Sequence, residues 1–151
     1  MTEGHAKVAR VVQGIGHFAE VSLRVSKANT PGYGRVQFLC TGKGFVGQGY
    51  LEEVSPEGYE DWKTGAEAGV LFALKCSNWT ADVYVDAISG LSSDTNEWTV
   101  AEAAAKAVWN ALETNLDSQV LARLEHLVDR SWCEEGLRLD DLESLLLGQI
   151  G

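Results

Sequence analysis

The chain has 151 residues, 45% of them hydrophobic, enough for one ordinary core and short for two independently folding domains. Its formal net charge of −10 is unevenly spread: residues 1 to 50 carry six Lys or Arg against Glu3 and Glu20, a balance of +4, which leaves −14 for residues 51 to 151. That surplus repels nucleic acid from the molecule as a whole, no apolar run reaches the roughly 18 residues a membrane span needs, and "MTEGHAKVAR" lacks the apolar core of a signal peptide. A soluble, cytoplasmic protein with no membrane partner is expected.

In chain order, "KVARVVQ" is a plausible first strand. "FAEVSLRVSK" alternates cleanly, with Val21, Leu23 and Val25 on one side and Glu20, Ser22 and Arg24 on the other, as a half-buried strand does. "ANTPGYG" is dense in turn formers and "GRVQFLC" alternates again through Val36, Phe38 and Cys40, so these two segments are expected to form an antiparallel hairpin. Ser55-Pro56 reads as a helix start, and Tyr59, Trp62, Ala66, Val70 and Ala73 share the face of a helix reaching Lys75. Gly65 and Gly69 on that helix are expected where it closely approaches a sheet.

"WTADVYVDAIS" places Val83, Val85 and Ala87 on alternate positions of another strand. After the loop "GLSSDTN", an amphipathic helix carries Trp98, Ala101, Ala105, Val108, Trp109 and Leu112, capped by Asp94 with Glu97 or by Asn96. Beyond Glu113 the pattern becomes leucine-rich: Val120, Leu121, Leu124, Leu127 and Val128 form one stripe, Gly136 breaks the chain, and a short helix starts near Asp140. This tail reads as a helical hairpin that folds onto the body or pairs with another copy. The division expected is an α+β domain over 1–113 and a C-terminal helical extension over 114–151.

Gly42, Gly44 and Gly47 stand in the spacing G-x-G-x-x-G, whose chemistry requires a strand opening directly into a helix that receives a phosphate at its N-terminus. Here the expected helix begins eight residues past Gly47, Glu52 and Glu53 intervene, and no Walker-type Lys-Ser or Lys-Thr pair follows. A glycine-permissive loop is the better reading, because two carboxylates repel a phosphate. Cys40, Cys76 and Cys133 form no C-x-x-C pair and read as reduced, buried fillers. Trp62, Trp98 and Trp109 fall on helix faces and read as core, while Trp79 and Trp132 have no evident place. His17 could approach Cys40 across the expected hairpin, though no spacing demands it.

The acidic pairs at 52–53, 60–61, 134–135 and 140–141 match neither a calcium loop nor a zinc pattern, so no metal or cofactor is expected. The most polar connection, "SGLSSDTNEW", offers Ser92, Ser93, Asp94, Thr95 and Asn96 as a ligand or partner loop.

From "NTPGYGRVQF" through "GFVGQGYLEEVSPEGYEDWKTGAEAGV" to "ADVYVDAISGLSSDTNEWTVAEAAAKAVWNAL" the chain resembles domain IV of elongation factor G, with its ribosomal protein S5 domain 2-like fold. The likeness covers residues 33 to 112. It implies an α+β fold with a mixed or antiparallel sheet of about four strands and two helices on one face. It also implies tip loops that approach messenger and transfer RNA. Here "KANTPGYGR" keeps Lys27 and Arg35, whereas "SGLSSDTNEW" has no basic residue or histidine and carries Asp94 and Glu97.

The expected function is a binding or assembly module without catalytic residues, partnered by a protein or by its own copy through the C-terminal helices. A second possibility is RNA or ribosome association through the basic N-terminal third, with Lys27, Arg35 and Lys43 as contacts. A third is a small-molecule enzyme with its site near residues 89–97.

Overall fold

The structure is a computed structural model that describes residues 1–27, 34–114 and 117–147, with backbone alone at Lys27, Asp141 and 145–147. Strands β1 (Thr2–Val12) and β2 (Ile15–Lys27) form a long antiparallel hairpin. Gln13 and Gly14, at φ 51° and 80°, make its two-residue turn, whose left-handed backbone matches the twist of the flanking strands. The segment "KVARVVQ" therefore belongs to the first strand. The expected hairpin between residues 18–27 and 34–40 does not form.

What separates those segments is the central strand. β3 (Val36–Phe38) and β4 (Glu52–Glu53) both lie along one edge of β5 (Ala81–Gly90), and β2 lies along the other. β3 runs parallel to β5, while β2 and β4 run antiparallel to it, so the five-stranded sheet is mixed and the fold is α+β. β5 takes the centre because Ala81, Val83, Val85 and Ile88 are all fully buried. A bulge opposite Ser22 and Leu23 shifts the register, leaving Asp86 as the extra residue and turning Ile88, not Ala87, into the core.

Helices α1 (Glu60–Cys76) and α2 (Glu97–Leu112) cover one face of the sheet. The other face is open and polar, with Arg24 paired to Asp86 at 2.8 Å and His5 to Glu20 at 3.0 Å. α1 begins four residues later than Ser55-Pro56 suggests, at Glu60 with Tyr59 as its N-cap. Ser55 donates its hydroxyl to Glu57 O instead of capping, and Gly58 and Tyr59, at φ 85° and 57°, turn the chain into the helix. α2 is capped by Asn96, whose Oδ1 accepts from Thr99 N at 2.8 Å, and the Asp94 alternative is not used.

Gly65 and Gly69 serve a helix–helix contact, not the helix–sheet contact expected of them. A Cβ on either would collide with the backbone of α2, at Glu97 O and Ala101 O respectively. Gly4 on β1 admits Ala107 O of α2 in the same way. α2 is thus pressed between the sheet and α1, with backbone-to-backbone approach at Gly4, Gly65 and Gly69 and alanines at half of its buried positions.

Helix α3 (Ser118–Ser131), capped by Asp117, packs Leu124, Leu127 and Val128 against this layer. A polar clamp fixes it. Glu102, fully buried on α2, takes both ends of the Arg10 guanidinium at 2.7 Å and Lys106 Nζ at 2.8 Å. Arg10 also donates to Asp129 and Lys106 to Glu125, both on α3. After Gly136, at φ 94°, a 3-10 turn (Leu139–Asp141) leads into α4 (Leu142–Leu147). Cys40 is buried as expected, but Cys76 and Cys133 are exposed because each lies at a helix end.

Two stability outcomes follow. Gly69→Ala should cost about 1–3 kcal/mol, since the backbone of α2 must retreat, as read from the midpoint of urea unfolding. Glu102→Ala, which removes the buried acceptor shared by Arg10 and Lys106 and leaves them only Asp129 and Glu125, should cost about 3 kcal/mol in the same titration.

Candidate functional site

The glycine seam brings the N-terminal ends of α1 and α2 side by side, and with them the first-turn acids Glu60, Asp61 and Glu97. Each is favoured singly by its helix dipole, but together they concentrate negative charge. The Glu97 carboxyl is pushed up by burial first and then by Asp61 and Asp140.

Glu52 on β4 adds a carboxylate only 4% exposed. It accepts from the Tyr59 hydroxyl at 2.6 Å and from the Ser92 hydroxyl. Burial and then the Glu52 carboxylate push the Tyr59 phenol up to about 12. Trp62 tilts against Tyr59 with ring centroids 5.0 Å apart.

Around these groups lie two adjoining hollows that share Asp61 and Trp62. One, of about 450 Å³, is bounded by Glu52, Tyr59, Glu60 and Ser92. The other, of about 540 Å³, is bounded by Thr95, Asn96, Glu97 and Glu134. The result is a groove with three aromatic side chains, Tyr59, Trp62 and Trp98, and five carboxylates, suited to a cationic ligand by charge and by ring-face attraction.

The loop picked out in the sequence forms one wall of this groove. Ser92 reaches Glu52, while Thr95, buried, accepts from Leu91 N at 2.8 Å and donates to Phe18 O at 2.6 Å. Asn96 caps α2 and donates to Ser131 at 2.9 Å. Asp94 lies against Gly16 and its carbonyl accepts from Phe18 N, and Ser93 points to solvent. Three of the five therefore also hold structure. Sequence reading missed Glu52, Tyr59 and Trp62 as site residues; the acidic pairs at 52–53 and 60–61 were the available signal.

The basic candidates are not gathered. Arg35 and Lys43 are exposed and have no ion pair among the described residues, and the Lys27 side chain lies outside them. Arg35 sits beside Asp82 and Lys43 beside the bridge from Gly44 to Glu53, which places them about 20 Å apart along β5.

Nor does the fold join His17 to Cys40. Cys40 donates to Val85 O at 3.8 Å, and Val85 pairs with Leu23, six residues along β2 from His17 and so about 20 Å away. Burial pushes the Cys40 thiol up, away from a reactive thiolate. His17 is instead buried beneath Trp132, stacked at 5.3 Å, with Nε2 3.4 Å from Asp129 Oδ1.

The glycine motif forms a hairpin. Gly42 N donates to Val54 O at 3.0 Å and Gly44 N to Glu53 O at 2.8 Å, so these amides are not available to a phosphate. Among the described residues, no three His, Cys, Asp or Glu side chains are placed to hold a metal ion, and no helix is long and apolar enough to cross a membrane.

No protein-family model matches the chain, and no curated protein matches it. Among solved structures, it is similar to a crystal structure from Thermus thermophilus, with a TM-score of 0.50 at 20% identity over 70% of this chain. The chain spans 14% of that protein's length. At this identity the likeness is one of fold.

The Tyr59–Glu52 contact is open to direct measurement. In a spectrophotometric titration one tyrosine should ionise well above the others, and Glu52→Gln should bring its midpoint down, because the neutral phenol loses a charged acceptor.

Proposed function

We propose that the chain is a binding module and that the groove between the N-termini of α1 and α2 takes a cationic ligand, of the lysine- or arginine-rich peptide class. The observation that carries this reading is the convergence of Glu52, Glu60, Asp61, Glu97 and Glu134 around Trp62 and Tyr59, with no cation among the described residues paired to the first four. A low-dielectric wall beside such a cluster focuses its field on an approaching cation. Partnership through the C-terminal helices remains part of the proposal, with one refinement. Leu124, Leu127 and Val128 are spent on the body, so the tail contributes through Glu134 and Leu137 at the groove.

The resemblance to domain IV of elongation factor G, carried by the motifs of residues 33–112, is proposed as kinship of fold and not as translocation. A cytoplasmic location is supported by the exposed free thiols of Cys76 and Cys133, which suit a reducing compartment.

RNA or ribosome association is the second reading, favoured by the absence of ion pairs at Arg35 and Lys43 among the described residues. The roughly 20 Å between them limits it to a phosphate backbone long enough to reach both.

An oligolysine peptide titrated against the protein should change Trp62 fluorescence, a change absent in Trp62→Phe. Asp61→Asn should weaken binding roughly threefold or more. Binding unaffected by Asp61→Asn defeats the reading. In parallel, salt-sensitive co-sedimentation with ribosomes, lost on charge reversal at Lys27 and Arg35, would transfer support to the second reading.

A further inference from the structure

Two more surfaces lie outside the acidic groove. One is the tip of the 42–54 hairpin. Gly44, Gly47 and Gly49, at φ 78°, 156° and 85°, fold it so that Phe45, Val46, Tyr50 and Leu51 stand 65%, 58%, 69% and 49% exposed. Four large apolar side chains in one short excursion make a patch, and patches of this kind mark contacts. Lys43 flanks the patch, exposed and without an ion pair among the described residues.

The other surface is a groove of about 320 Å³ between α1 and the segment leading into α4. Ala68, Leu71 and Leu142 line it, and Leu71 is 44% exposed. Glu67, Asp140 and Glu143 form its rim. Glu143 is paired to Lys75, while Glu67 and Asp140 have no ion pair among the described residues.

Tip and groove are complementary in both form and charge: an apolar wedge beside a cation, and an apolar trough beside carboxylates. We propose that the tip of one chain docks into the α1–α4 groove of a second copy, with Phe45 and Val46 against Leu71 and Lys43 facing Glu67. The contact joins two different surfaces, so a docked pair still presents one free tip and one free groove. Assembly therefore closes into a ring or continues as an open chain. It makes no use of the acidic groove, and Asp61→Asn leaves it unchanged.

Sedimentation velocity over a protein concentration series tests this. The unaltered chain should self-associate with rising concentration, as a closed ring of two or more copies or as a longer open chain. Phe45→Ser and Leu71→Ser each change an exposed side chain without adding charge, so both should keep the native melting transition. Each alone should weaken self-association about tenfold or more. Mixed in equal amounts, the two variants should restore a 1:1 pair and stop there, because only one intact tip meets one intact groove. A chain that stays monomeric throughout the series overturns the proposal. So does association indifferent to either substitution, or a mixture that restores no pair.

Discussion

The backbone-to-backbone approach of α1 and α2 is the constraint on which the rest depends. Gly65 and Gly69 on α1 meet Glu97 O and Ala101 O on α2, and Gly4 on the sheet meets Ala107 O from the other side. Three glycines and a run of buried alanines at 101, 103, 104, 105, 107 and 111 leave α2 little side chain with which to stand off its neighbours. Close approach maximises dispersion contacts along the seam, at the cost of the helix propensity that each glycine forgoes. The same geometry fixes the site. Gly65 meets Glu97 and Gly69 meets Ala101, so the two helices run in the same direction, their N-termini lie together and the acids of both first turns fall beside the same Trp62.

With α2 held by small residues, α3 is held by charge. Glu102 faces away from the glycine seam into a space filled by Arg10 and Lys106, whose remaining donors reach Asp129 and Glu125. The pair is fully hydrogen-bonded on the carboxylate side, the condition under which burial of an ion pair is tolerated. The arrangement also adds specificity, since α3 can slide along α2 only by breaking the Arg10–Asp129 and Lys106–Glu125 contacts. The leucine stripe alone would not fix that register.

Much of the fold is legible in local pattern. The strands at β2 and β5 and the helix at α2 follow from strict periodicity, and the Asn96 cap is one of two residues placed for it. The errors are those of long-range pairing. "ANTPGYG" has turn chemistry, but turn chemistry does not say which strand the chain joins on return, and the central β5, whose inward face is fully buried, separates β3 from β2. Gln13-Gly14 makes the hairpin instead, and it is a faint signal in sequence because a left-handed glutamine is uncommon. Gly65 and Gly69 announce a close approach without naming the partner. The bulge at Asp86, which exchanges Ala87 for Ile88, has no sequence marker.

The site is half legible for a related reason. Polar loops advertise themselves in sequence, so Ser92 to Asn96 stand out, yet Thr95, Asn96 and Asp94 spend most of their hydrogen bonds on Phe18, Leu91, Ser131 and the α2 amides. A group so engaged is a poor catalyst and a good wall. What the fold leaves unspent is different in kind: first-turn carboxylates, the open faces of Tyr59 and Trp62, and an apolar hairpin tip. In the binding role proposed above, these groups would attract and bury a partner. The G-x-G-x-x-G spacing belongs to this second set, since its amides close a hairpin and its left-handed turns push Phe45 and Val46 outward.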